Sequence, residues 1–201
     1  MARPVTANVR VSLVCEDIAH ESTARAFCER IAEEEGRALD LTVASARLGI
    51  PRLQRELRAL QRIFSSRPGT PDLLVVIIDA NAVGPQARHR EVEAMIDPTV
   101  VPAHVIGTPD PSVERWLLAD PASFVERFGL EPATGRATDR HAWKQRLLTA
   151  LEDSGRIVMQ GGAEYADEIV AGMDLVRAGR TEPSLDRFVT DLRAAFRRLE
   201  A

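Results

Sequence analysis

Leu73 to Ile78 (LLVVII) runs six apolar residues without a polar interruption and stops at Asp79. A half-exposed strand would alternate, so this run predicts a strand covered on both faces, as in the centre of a parallel sheet. Val9 to Cys15 (VRVSLVC) reads the same way, as a buried strand rich in branched residues. Leu39 to Ala46 (LDLTVASA) alternates and reads as a strand with one wet face. Val100 to Ile106 reads as a fourth strand.

Helical patterns fill the gaps. His20 to about Glu35 places Ala24, Phe27, Cys28 and Ile31 at helical spacing, and Gly36 ends the segment. Leu53, Leu57, Leu60 and Phe64 form a second stripe, broken at Pro68-Gly69. Arg88 to Ile96 reads as a short helix after a turn at Gly84-Pro85. Asp110-Pro111 and Asp120-Pro121 each resemble a helix start, with Asp as cap and Pro in the first turn. Trp143, Leu147, Leu148 and Leu151 form one later stripe. Leu185, Phe188, Val189, Leu192, Phe196 and Leu199 form another. Alternating strands and helices predict an α/β fold, a mostly parallel four-stranded sheet flanked by helices, with an α-helical C-terminal extension. The predicted division is an α/β domain over 1–128, a linker over 129–140 rich in Gly, Pro, Thr and Ala, and a helical extension over 141–201 packed on the same domain.

Composition narrows the function classes. The net charge of −4 argues against bulk electrostatic coating of nucleic acid, and 4% aromatic residues argue against a base-stacking platform. A nucleic-acid substrate stays open, because an acidic site can offset repulsion with metal ions. Cys15 and Cys28 have no partners for a zinc module or disulfide framework. No run approaches a membrane span of ~20 residues. Met1 to Arg10 holds no signal-peptide core, which predicts a cytoplasmic protein and no membrane partner. The first strand is not followed by a glycine-rich phosphate loop, and no Gly-x-Ser-x-Gly elbow occurs. His20, His89, His104 and His141 lack zinc-ligand spacing.

What remains is acid at the strand ends. In open α/β sheets ligands bind at the carboxyl ends of the strands. Two strands end in acid, at Glu16-Asp17 and at Asp79-Ala80-Asn81. If both are parallel strands of one sheet, Glu16 and Asp79 share an edge, and carboxylates gathered there suit Mg²⁺ or Mn²⁺. An acid after a strand is also common turn chemistry. His20 stands close enough in sequence to assist, although a helix-start histidine reads more simply as solvated. Cys15 reads as a buried strand residue.

These residues carry a resemblance. An acid after the first strand, then a helix, then Asp-x-Asp after a later apolar strand is the Toprim pattern. Here it reads Val14-Cys15-Glu16-Asp17-Ile18-Ala19-His20-Glu21, with Leu73 to Asn81 as the second element. Val105 to Asp120 (VIGTPDPSVERWLLAD) resembles a bacterial Toprim-like family of unknown function, whose members carry a similar Glu-x-Trp-Leu-Leu-Ala-Asp block. Tyr165 to Val170 and Met173 to Arg177 are similar to that family's helical C-terminus. The family is similar to the Toprim half of the overcoming-lysogenisation-defect (OLD) nucleases.

The resemblance implies a Toprim-like Rossmannoid fold and divalent-metal-dependent phosphodiester chemistry. Glu16 and Asp79 become catalytic metal ligands, and Asn81 stands where the pattern has its second Asp. That exchange keeps an oxygen but loses a charge, weakening any second metal. The resemblance also implies an AAA-type ATPase partner in phage defence or genome maintenance. Glu114, in the first turn after the fourth strand, is a further candidate metal ligand, or simply an acid favoured by the helix N-terminus. Asp120 reads as a cap, Trp116, Leu117 and Leu118 as core, and Lys144 and Arg146 as phosphate contacts or a solvated face. The alternatives to a nuclease are a non-catalytic interaction subunit, favoured by Asn81 and the lack of a dense basic run, and a flavodoxin-shaped small-molecule domain.

Overall fold

A computed structural model describes residues 8–45, 49–66, 70–133 and 139–199. Four strands, β1 (Val9–Cys15), β2 (Leu39–Ser45), β3 (Leu73–Ile77) and β4 (His104–Gly107), form one sheet in the order β2-β1-β3-β4. Every pairing is parallel, with Cys15 opposite both Ser45 and Ile77. The fold is α/β with helices on both faces, as the uninterrupted apolar runs require.

Alternation along the central strands builds two cores. Leu13, Cys15, Leu73, Val75 and Ile77 join one cluster, while Val14, Leu74, Val76 and Ile78 join the other. The second cluster is covered by α2 (Ile50–Ser66) through Leu53 and Leu57, and by α3 (Pro85–Glu93) through Val92. The first is covered by α1 (Ile18–Glu34), α4 (Val113–Leu117), α5 (Pro121–Phe128) and α6 (Arg140–Asp153). Also over it lie α7 (Ala166–Gly172), α8 (Leu175–Thr181) and α9 (Pro183–Arg198). The C-terminal helices thus share a core with β1 and β3. At its centre Trp116 stacks on Phe188 at 5.2 Å, and Phe27 meets both rings edge-on. The Trp116 indole N–H donates to Ser184 Oγ at 2.8 Å, so this aromatic is buried without a stranded donor.

Some boundaries differ from the sequence reading. Asp17 caps α1, accepting from the Ala19 and His20 amides, so that helix starts two residues before His20. Helix α3 starts at Pro85 and ends at Glu93, earlier than Arg88 to Ile96. The fourth strand starts at His104. The Val100 and Val101 amides turn back to the Asp97 carbonyl, and Pro102 has no N–H to give a ladder. Asp110-Pro111 does not start a helix. The chain bends at Asp110 and Pro111, Ser112 is extended, and α4 starts at Val113. Pro121 does open α5, but the Asp120 carboxylate makes no cap. It accepts from Arg177 and from the Asp174 amide. Gly129 ends α5 at φ 75°, and Arg140 is already helical. Residues 134–138 of the predicted linker, Ala46 of the second strand and the Pro68-Gly69 break lie outside the described residues. Among the described residues, no helix is long and apolar enough to cross a membrane.

Candidate metal centre

The strand order decides where chemistry can gather. The connection from β1 leads to one edge of the sheet and that from β3 to the other, so a crevice opens at the carboxyl ends between them. Glu16 follows β1 directly, and Asp79 lies two residues beyond β3. Because Cys15 and Ile77 are in register, both acids arrive at this crevice. Asp79 is fully buried at 0% exposure, and the Glu16 side chain is 15% exposed.

His20 lies between carboxylates. Its Nδ1 is 2.7 Å from Asp17 Oδ1 and its Nε2 is 2.8 Å from Asp79 Oδ1, at 1% exposure. Each carboxylate is an acceptor, so both ring nitrogens donate and the ring is an imidazolium. Burial alone would push its pKa down. The hydrogen bonds and charges of Asp17 and Asp79 outweigh that and raise it to about 10. Burial likewise pushes Asp17 up, but His20 more than reverses this and holds it well below the usual carboxylate range. One side chain, Asp17, therefore caps α1 and orients the histidine that faces Asp79.

Arg140, the first residue of α6, covers the same acids. Its guanidinium lies 3.3 Å from Asp79 Oδ2, 3.3 Å from Asp17 Oδ2 and 3.8 Å from Glu16 Oε1. The Asp79 contact is an ion pair without hydrogen-bond alignment. Asp79 Oδ2 and Glu16 Oε2 are thus buried oxygens with no hydrogen-bond partner. Such atoms cost free energy unless something else engages them.

Glu16, His20 and Asp79 each offer a ligand atom, all within 4.8 Å of one another, so the group can hold a metal ion. The chemistry of the donors fits a hard divalent cation, since two carboxylates present buried oxygens without a hydrogen-bond partner. His20 can ligate only by giving up its proton and its bond to Asp79. As it stands, it is a positioning group.

The other predicted ligands have contacts of their own. Asn81 is exposed at φ 50°, and its amide donates to the Asp79 carbonyl at 3.3 Å. Glu114 is buried, meets Lys144 Nζ at 3.5 Å, and is not in the three-residue group. Lys144 also lowers Asp17 by its charge, so it borders the crevice. Arg146 is half-buried and lies over the Trp143 ring at 4.7 Å. Cys15 and Cys28 are buried, and burial pushes both thiols up, Cys28 to about 12, so neither is a nucleophile at neutral pH.

Sequence reasoning placed His20 in solvent and put Arg140 in a linker; the structure puts both at the site. The pair Asp17/His20, at the spacing of a helix cap and its third residue, was the available signal for the histidine. Arg140 carried none, since its partners Asp79, Asp17 and Glu16 all lie more than 60 positions away. Comparison with family profiles, with curated proteins and with solved structures finds no match.

Proposed function

We propose that this chain is a Toprim-like divalent-metal-dependent nuclease, with Glu16 and Asp79 as the residues that hold Mg²⁺ or Mn²⁺. The observation that carries the reading is the pair of buried oxygens without a hydrogen-bond partner, Glu16 Oε2 and Asp79 Oδ2, at the switch point of the sheet. The sequence resemblance supports it independently. A bound cation supplies charge neutralisation at a scissile phosphate and a lowered pKa for attacking water.

The protein's own groups do the rest. His20 fixes the Asp79 carboxylate through Nε2 and is itself fixed by Asp17. Glu16, with one oxygen on the cation, would take a proton from the attacking water with the other. Arg140, once displaced from the acids, and Lys144 offer charge-assisted hydrogen bonds to phosphate oxygens. The test is cleavage of single- and double-stranded nucleic acid with Mn²⁺. Glu16→Ala and Asp79→Ala should each abolish it, and cleavage surviving both substitutions would sink the proposal.

A second reading, a non-catalytic interaction subunit that docks an AAA-type ATPase, is favoured by one feature. Arg140 already lies across Glu16 and Asp79, the acids a metal would need. It predicts no retained metal and partner binding that persists in Glu16→Ala.

A further inference from the structure

Helix α2 takes no part in the site above, yet it holds the most lopsided charge in the molecule. Ile50 to Ser66 contains Arg52, Arg55, Arg58 and Arg62 and one acid, Glu56, in a chain of net charge −4. In linear sequence the arginines are diluted by apolar residues. The helix sorts them. Leu53 and Leu57 are buried on the sheet, with Leu60 and Phe64 packed against the same core. Arg55, Arg58 and Arg62, at spacings of three and four, lie exposed along one face. Arg55 and Arg62 are seven positions apart, about 10 Å along the axis. Arg52 is paired with Glu56 at 2.6 Å, whereas no ion pair among the described residues engages Arg55, Arg58 or Arg62.

The row lies on a rigid frame. Gln61 donates to the Leu57 and Met95 carbonyls and accepts from the Asp97 amide, tying α2 to the segment after α3. A groove of about 500 Å³ opens there, with Arg58 and Arg62 on its rim. One acid, Asp97, shares the groove, and its Oδ1 is taken by Thr99. Because β2 is parallel to β1 and α2 begins five residues after Ser45, the row starts from the sheet edge that holds Glu16 and Asp79.

We propose that this arginine face of α2 binds the phosphate backbone of a nucleic-acid strand and leads it towards the carboxyl edge of the sheet. Unpaired guanidinium groups repeated along a fixed line match a repeating phosphodiester. With few aromatics, the hold is through phosphates and is not sequence-specific. An anionic membrane fits less well, because α2 has already buried its bulky apolar residues and exposes only Ile63 among them, whereas interfacial helices insert that face. The inference rests on the nuclease reading and adds the surface that holds its substrate, but the binding it describes needs no metal.

The test is fluorescence anisotropy of a short labelled single strand and its duplex, titrated with the full chain in EDTA at low and physiological salt. Three phosphate contacts predict log–log salt slopes of about −2 for the strand and about −3 for the duplex. Arg55→Glu/Arg58→Glu/Arg62→Glu should weaken binding roughly tenfold or more and flatten the slope. The milder Arg55→Gln/Arg58→Gln/Arg62→Gln should weaken it less, which keeps the test usable if charge reversal disturbs folding. Arg180→Glu/Arg198→Glu, on α8 and α9, should leave it unchanged. Binding that survives either triple substitution, no binding by the unaltered chain, or arginine-dependent capture by phosphatidylserine vesicles but not by DNA overturns the inference. Intact binding in a protein that neither retains Mn²⁺ nor cleaves supports the arginine face while refuting the metal centre.

Discussion

Arg140→Ala should make the candidate centre bind Mn²⁺ more tightly. The guanidinium contacts three carboxylates at 3.3–3.8 Å and is one-third exposed. A divalent cation between Glu16 and Asp79 would lie roughly 5 Å from it. At an effective dielectric constant of about 40, between the surface and bulk-water values, the repulsion is about 3 kcal/mol. Arg140 can avoid that by swinging out, forfeiting ion pairs that are each worth about 0–1 kcal/mol when partly solvated. The cheaper route sets the cost at about 1–2 kcal/mol, roughly a tenfold gain in affinity once the arginine is gone. Isothermal titration of Mn²⁺ into both proteins reads this directly. Without metal, Arg140→Ala should also lower the melting temperature, because buried Asp79 loses a counter-charge. Equal or weaker Mn²⁺ affinity in Arg140→Ala would refute the claim that Arg140 competes with the cation.

Three further outcomes follow from the packing. The Asp120 carboxyl is pushed up by burial but brought down to about 2 by Arg177, Ser123 and the Asp174 amide. A depressed pKa stabilises the fold above the unfolded value of 3.8 and loses that contribution as pH falls towards 2, a loss of about 1–2 kcal/mol allowing for the half-exposed arginine. Urea unfolding from pH 5 to 2 should show this slope in the parent and a reduced one in Asp120→Asn. His20→Ala removes the cation between Asp17 and Asp79 and should cost about 3–5 kcal/mol in metal-free protein, measured by urea denaturation. Gly107→Ala adds a Cβ 2.9 Å from Ile77 Cγ1 and 3.0 Å from the Trp116 ring, and overpacking of that kind should cost about 1–3 kcal/mol in the same assay.

What could be read from the sequence was what local pattern determines. The unbroken run ending at Asp79 identified a central strand, and alternation over Leu39 to Ala46 identified a second strand, which the sheet order puts at the edge as β2. The rule about strand ends then pointed to Glu16 and Asp79, which the sheet register brings together. What could not be read depends on partners far along the chain. His20 resembles any helix-start histidine until Asp79, 59 positions away, buries it as a cation. Asp120 has the local form of a cap, but Arg177, 57 positions on, takes the carboxylate. Val100 and Val101 are apolar enough for a strand, yet they pack in the core as a turn before Pro102. The Trp116-Leu117-Leu118-Ala119-Asp120 block has its physical role in packing. Trp116 and Leu117 build the aromatic core, and Asp120 anchors α8.

The central claim is that Glu16 and Asp79 hold a divalent cation, and anomalous scattering from a crystal soaked in Mn²⁺ tests it most directly. A single strong peak is expected about 2.1 Å from oxygens of both carboxylates, with Arg140 withdrawn from them. A crystal with no peak between Glu16 and Asp79, and Arg140 still across the acids at saturating Mn²⁺, would contradict it.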